Sequence, residues 1–293
     1  MRETGTLMTV PNILTDTTPT LDGSDPTLVH SVITDAWGLH FAQGGVVMAA
    51  ALRSMAAVLD RDDLSLASAS AVFCRPVACG PVTTRVEVLR DGRRGAQVLG
   101  TMRDSTAPEG AVSVAVTSVF TDPTMPGPQL APVPRPPELG TPPDQTADRA
   151  FDNHFPLGFL DNTEWHVATG APDPEVAAVD ASPIPRLALW FRFNDPPAPA
   201  GVDWHPALLP IPGDALGSAL VVALGGGDSP VGSVSLQIDI QFLAPATGTW
   251  VGLDSTCTHI GNGLATGVVH LWSEDGVHVA TATQTAMLRG LGA

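Results

Sequence analysis

No lysine occurs in the 293 residues, so the basic side chains are all arginine, fourteen of them against thirty Asp and Glu, for a formal net charge of −16. That balance repels polyanions and argues against nucleic acid or an anionic membrane surface as a general partner. Tyrosine is absent too, and with abundant Ala, Gly, Pro and Val this reads as the bias of a GC-rich genome rather than as function. Cysteine is scarce. Cys74, Cys79 and Cys257 are odd in number and without metal-ligand spacing, so they read as reduced thiols of a cytoplasmic protein. No run reaches the roughly 18 apolar residues of a membrane span. The Thr- and Asp-rich first thirty residues contain no signal-peptide core. A G-x-S-x-G nucleophile elbow is missing, and His154, His166, His205, His259, His270 and His278 are scattered without an HExxH pattern. Neither metal nor other cofactor is expected.

What is present is a hydrophobic content of 44%, enough for a substantial core, and one sharp break in composition. The stretch "DPTMPGPQLAPVPRPPELGTPPDQTADR", residues 122–149, is too rich in proline for continuous helix or central strand and reads as a semi-extended linker. It divides the chain into an N-terminal segment (1–30), a first half (31–121), the linker (122–150) and a second half (151–293).

The halves repeat one another. "FAQGGVVMAAALRSM" and "LPIPGDALGSALVVAL" are each followed by a strand-rich stretch. An offset of 169 residues superposes Gly44 on Gly213, Phe73 on Phe242, Pro76 on Pro245, Val82 on Val251 and Gly92 on Gly261 without a gap. Residues 215–224 are apolar nearly all round, as in a helix wrapped by protein. The following "SVSLQIDIQF" alternates, with Val234, Leu236, Ile238, Ile240 and Phe242 on one face and Ser233, Ser235, Gln237, Asp239 and Gln241 on the other. Further strands are predicted near 249–258, 264–273 and 277–288, separated by the turn signals "GNG" and "EDG". The predicted class is α+β: a double hotdog, two antiparallel sheets each wrapped around a long central helix.

Asp214 opens the second helical run, where a carboxylate is either an N-cap of its own helix or a general base tuned by burial. Gln284 stands among Ala280, Ala282, Ala286 and Leu288 when counted by twos, so its amide lies on a small apolar face where burial demands a partner. At the corresponding first-half positions stand Gly45, Leu66 and Ser118, the last after a three-residue change of offset. Asp214, Ser235 and Gln284 are thus absent together from one copy, as expected if one of two pseudo-symmetric sites survives.

The order of the Asp-bearing helix, "SLQIDIQFLAP" and "DGVHVATATQTAMLR" resembles the double-hotdog, type II (TesB-like) acyl-CoA thioesterases, as do "FAQGG", "FCRP" and "VLRDG" in the first half. The resemblance implies hydrolysis of an acyl thioester, on coenzyme A or a carrier protein, to free acid and thiol. It places the catalytic residues at Asp214, Ser235 and Gln284, with Met287, Leu288 and Arg289 completing the last motif. In that scheme Asp214 deprotonates water, Ser235 and Gln284 orient it, and backbone amides at Gly44 and Gly45 bind the oxyanion. The same resemblance implies a role in lipid metabolism and further association into homo-oligomers. Arg75, Arg85, Arg90, Arg93, Arg94 and Arg103 form the densest basic stretch, where coenzyme A phosphates or merely solvent would be met. Two alternatives stay open: an enoyl-CoA hydratase using the Asp-x4-His pair Asp35 and His40, and a non-catalytic module that binds acyl thioesters.

Overall fold

The computed structural model describes residues 10–143, 157–168, 186–199, 201–224 and 231–290. His154 and the end of the predicted linker lie outside these residues. In chain order the helices are α1 (Ile13–Asp16), α2 (Gly44–Leu59), α3 (Gly158–Asp161), α4 (Pro210–Gly213) and α5 (Leu216–Ala223). The first-half strands are β1 (Thr20–Leu21), β2 (Leu28–Ile33), β3 (Ser65–Phe73), β4 (Gly80–Gly92), β5 (Gly95–Asp104) and β6 (Val114–Thr121). Those of the second half are β7 (Thr163–Val167), β8 (Arg186–Phe193), β9 (Val231–Phe242), β10 (Val251–Gly261), β11 (Leu264–Ser273) and β12 (His278–Gly290).

The strands form an antiparallel sheet in the order β1-β2-β4-β5-β6-β3-β9-β12-β11-β10-β8-β7. Read inward from either edge, the order of one half reproduces that of the other. At the join, β3 and β9 pair through Ser70 and Asp239, the positions that the 169-residue offset makes equivalent, so an approximate twofold relates the halves there. The offset is legible in the register as well: Leu66 faces Phe120 and Ala69 faces Ser118, while Ser235 faces Ala286 and Ile238 faces Gln284. Each duplicate also has one extra residue at the same place, Ala67 between Leu66 and Ser68, and Leu236 between Ser235 and Gln237.

That bulge corrects the strict alternation read for β9. Past an extra residue the side chains exchange faces. Ile238 and Ile240 remain fully buried, but Ser235, counted with the solvent-facing set, turns inward with its hydroxyl against Asp214.

Two further expectations change. The sheets are not separate, because β3 and β9 give each other's edge backbone a partner and fuse them into one sheet of 12 strands. Nor are the two central helices alike: α2 has 16 residues and α5 only 8. The second segment makes a single turn as α4, opened by Pro210 and Pro212 at first-turn positions whose N–H groups would have no helical acceptor in any case, breaks at Asp214 and resumes at Leu216. Helix α2 is buried along most of its length, with Val46, Met48, Ala49, Ala50, Ala51, Leu52 and Met55 at 0% exposure. The Asn262-Gly263 turn takes left-handed φ values of 54° and 76°, the geometry an Asn-Gly hairpin turn favours. The proline-rich stretch is more than a spacer: Leu139 is fully buried on the outer face of the second half, and its carbonyl accepts the Trp190 indole N–H at 2.8 Å.

The start of α2 lies against α4 so closely that a Cβ on Gly45 would come within 2.3 Å of the Pro210 carbonyl oxygen. Since the neighbour is backbone, it cannot swing aside. Gly45→Ala should therefore cost about 1–3 kcal/mol, the range for overpacking a tight interior. An unchanged denaturant midpoint would show that the two halves part easily at this seam.

Candidate active site

Asp214 follows the last residue of α4 with φ −83° and ψ 46°, a conformation that ends the turn and throws its side chain toward the first half. There it meets the N-terminus of α2. Oδ2 accepts the Gly45 backbone N–H at 3.1 Å and the Gln43 side-chain amide at 3.0 Å. Oδ1 accepts the Ser235 hydroxyl at 2.9 Å and the Gln284 amide at 2.5 Å. Gln284 also donates to Ser235 Oγ at 2.7 Å, closing a triangle.

Asp214 is thus a cap, though of the partner helix rather than its own. The first amide of α5, on Leu216, is taken instead by Gln284 Oε1 at 3.2 Å, which fixes the orientation of that side-chain amide. Gln284 is 5% exposed among the buried Ala280, Ala282 and Ala286, so the small apolar face read from the sequence holds the polar partner its burial requires.

Burial in this setting pushes the Asp214 carboxyl from 3.8 up to about 6. Desolvation is the largest influence, while the bonds from Ser235, Gly45, Gln284 and Gly44 act in the opposite direction by favouring the charged form. The positive end of α2 favours the anion as well. The outcome is a carboxylate that ionises close to neutrality.

The four donors fill the approximately four lone-pair positions of an ionised carboxylate. Three of them are N–H groups that can only give. The Ser235 hydroxyl can also accept, and it alone can rotate to admit another molecule. Beside this cluster lies a cavity of about 220 Å³, with Asp214, Ser235 and Gln284 on one side and Leu39, Phe159, Leu160 and Trp165 on the other. Its walls come from both halves: the Phe159 amide donates to the Gly38 carbonyl at 2.9 Å and brings α3 against the segment before α2.

Of the Gly44 and Gly45 amides expected to face an oxyanion, that of Gly45 bonds the Asp214 carboxylate in this structure, since a buried anion at a helix start takes an orphan N–H first. Asp35 and His40 are both exposed, and neither lines the cavity. Of the basic stretch, Arg85 bonds Asp25 at 3.3 Å and Thr27 at 3.1 Å, and with Arg103 it lines a separate groove of about 380 Å³ on the first half. Among the described residues no cluster of three or more His, Cys, Asp and Glu could hold a metal ion. The same residues include no helix long and apolar enough to cross a membrane.

Gln43 was missed, although a signal was available. It directly precedes the helix-opening glycines, at a cap position usually held by Ser, Thr, Asp or Asn, and a residue out of type there invites a reason. Phe159 and Trp165 had no such signal. They follow the linker and reach the cavity only through tertiary packing.

The raised pKa predicts a pH-dependent stability. Below pH 3.8 the carboxyl is protonated in the native and unfolded chain alike, and its burial is not penalised by charge. Between there and about pH 6 the native state holds more protons than the unfolded state, so stability falls as pH rises, by on the order of 3 kcal/mol, and then levels off. Asp214→Asn removes the titration. Its oxygen can keep the Gly45 and Gln43 donors while the Ser235 hydroxyl turns to accept from its NH₂. Denaturant melts should therefore show the Asn variant gaining on the wild type by that amount from pH 4 to 7, and a constant difference would contradict the shift.

Comparison with known proteins adds the following. The model of the acyl-CoA thioesterase N-terminal domain matches residues 33–121, and that of the acyl-CoA thioesterase C-terminal domain matches residues 134–288. A conserved protein of unknown function with a hot dog fold from Alicyclobacillus acidocaldarius superposes with a TM-score of 0.75 at 19% identity, covering 95% of this chain and 98% of the other. The acyl-CoA thioesterase II TesB2 of Mycobacterium marinum gives a TM-score of 0.69 at 19% identity, with 95% and 98% covered. The tesB protein of Mycobacterium avium subspecies paratuberculosis gives 0.70 at 17% identity, with 94% and 98% covered. At these identities the superpositions establish the hotdog fold. No curated protein matches the chain.

Proposed function

The chain belongs to the acyl-CoA thioesterase family, and from that membership we propose that it hydrolyses an acyl thioester to free acid and thiol by Asp214-activated attack of water. The observation that carries the proposal is the buried Asp214 carboxylate, bonded directly to Ser235 and Gln284 beside a cavity with an apolar wall.

In the proposed reaction the acyl group lies against Leu39, Phe159, Leu160 and Trp165, with its carbonyl toward the carboxylate. The Ser235 hydroxyl rotates off Oδ1, and a water molecule takes that lone pair as a donor while Gln284 and Ser235 hold its oxygen in line. Asp214 accepts a proton as the water oxygen bonds to the carbonyl carbon. Protonation weakens the carboxyl group's hold on the Gly44 and Gly45 amides. They then become donors for the oxyanion, which restores the role first assigned to them by way of an exchange. Collapse of the tetrahedral intermediate breaks the carbon–sulfur bond, and the proton on Asp214 passes to the departing thiolate. No acyl-enzyme forms.

On this reading the residues 31–121 and 151–293 act as two halves of one catalytic unit, the first supplying the amides and Leu39 of the wall, and the second the acid and the rest of the wall. A homo-oligomer, a part in lipid metabolism and a cytoplasmic location belong to the same proposal. The location suits three cysteines that stand free. The hydratase reading draws no such support, because Asp35 and His40 are exposed and apart from the cavity.

The test is thiol release from a panel of acyl-CoAs. Asp214→Asn should lower kcat/KM by about 10²-fold or more, the usual contribution of a positioned base. The wild-type rate should fall tenfold per pH unit below the Asp214 pKa of about 6, because only the ionised form accepts the proton. Equal rates in variant and wild type, or a profile flat through that region, would refute the mechanism.

A further inference from the structure

Gln43 makes three bonds at the site, two of which join the halves. Its Oε1 accepts the Val46 amide at 2.8 Å and so caps α2. Its Nε2 donates to Asp214 Oδ2 at 3.0 Å and to the Ile211 carbonyl at 3.3 Å. The side chain is 5% exposed, and these contacts use both hydrogens of its amide group and one lone pair of its oxygen.

From this arrangement we infer that Gln43 is a positioning residue for the base: it pins Asp214 Oδ2 to the start of α2 and so aims Oδ1 at Ser235, Gln284 and the cavity. The inference rests on the reading of Asp214 as the base. Its physical ground is that a carboxylate with one oxygen held at two points has lost the rotation about its last bond. A base free to rotate spends part of its time aimed away from the water, and misplacement by about 1 Å can cost on the order of a hundredfold in rate. Once the Ser235 hydroxyl has rotated off Oδ1 to admit water, Gly45 and Gln284 alone would hold the two oxygens by one bond each, an axis about which the carboxylate can still tilt, and Gln43 removes that freedom. Ile211 matters because it precedes Asp214 by one turn. By binding its carbonyl as well, Gln43 clamps both the acid and the backbone that carries it.

Cap and clamp can be separated by substitution. Gln43→Ser keeps a good cap for α2 but is too short to reach Asp214. Gln43→Glu keeps the length, can still accept from Val46, and turns an oxygen toward the carboxylate in place of the N–H. The groups that face Asp214 from α2, β9 and β12 are otherwise amides and one hydroxyl, none of which titrates near neutrality. The acid limb of the pH profile therefore reports Asp214 alone.

For Gln43→Ser the expected result is a kcat lower by roughly tenfold to a hundredfold at nearly unchanged KM. Its acid limb should move to higher pH, and although its melting temperature falls with the two lost donors it should remain fully folded at the assay temperature. Gln43→Glu should move the limb further in the same direction, because a like charge then opposes ionisation of Asp214. If both variants keep the wild-type kcat and limb, or lose rate only in proportion to lost folded protein, the positioning role is overturned while Asp214 as base stands. If Asp214→Asn keeps the wild-type rate, the reading beneath it fails first, and the two failures are distinguishable on one panel of proteins.

Discussion

A single carboxylate, carried by the second half and held by the first, is the contact on which the rest of the structure turns. Asp214 receives two donors from the helix start at Gln43–Gly45 and two from β9 and β12. Removing such an anion from water would be prohibitive if it were unpaired. Here four hydrogen bonds and the end of a 16-residue helix offset most of that cost, and what is left over is expressed as a pKa near 6. The seam between the halves and the chemistry of the site are therefore one constraint. A loosened seam exposes and lowers the acid, whereas a tight one leaves it poised.

The duplication explains why only one such acid exists. At the position equivalent to Asp214, Gly45 has the Pro210 carbonyl where its Cβ would be, so the approximate symmetry is broken by the same close approach that gives Asp214 its donors. The two other polar residues are missing with it. Leu66 fills the place of Ser235 at 7% exposure, and Ser118, in that of Gln284, has a buried hydroxyl with no hydrogen-bond partner. The first half has a lone buried hydroxyl where the second half has a hydrogen-bonded network.

Much of this was legible in the chain. The offset of 169 residues anticipated strand positions, since β3, β4 and β5 are matched by β9, β10 and β11, and the three-residue change before Gln284 reappears as the pairing of Ala69 with Ser118 and Ile238 with Gln284. Hydrophobic periodicity reports burial, and burial is shared between duplicates, so fold and core could be read. The alanine face around Gln284 likewise told of a buried amide. The orientation of Ser235 could not be read, because one extra residue reverses a face and a bulge has no composition of its own. Fusion of the sheets was hidden for a similar reason: edge pairing joins backbones and leaves little trace in side chains.

Sequence by itself determined the duplication, the helix-and-strand order of each half, the small apolar setting of Gln284, and the asymmetry that singles out Asp214, Ser235 and Gln284. All are properties of residue type and local spacing, which the chain carries before it folds. Tertiary structure alone decided which helix Asp214 caps, how many donors it has, that Gln43 is among them, and that Phe159 and Trp165 wall the cavity. Those depend on groups more than a hundred residues apart meeting within hydrogen-bond or van der Waals distance, and no local pattern encodes such a meeting.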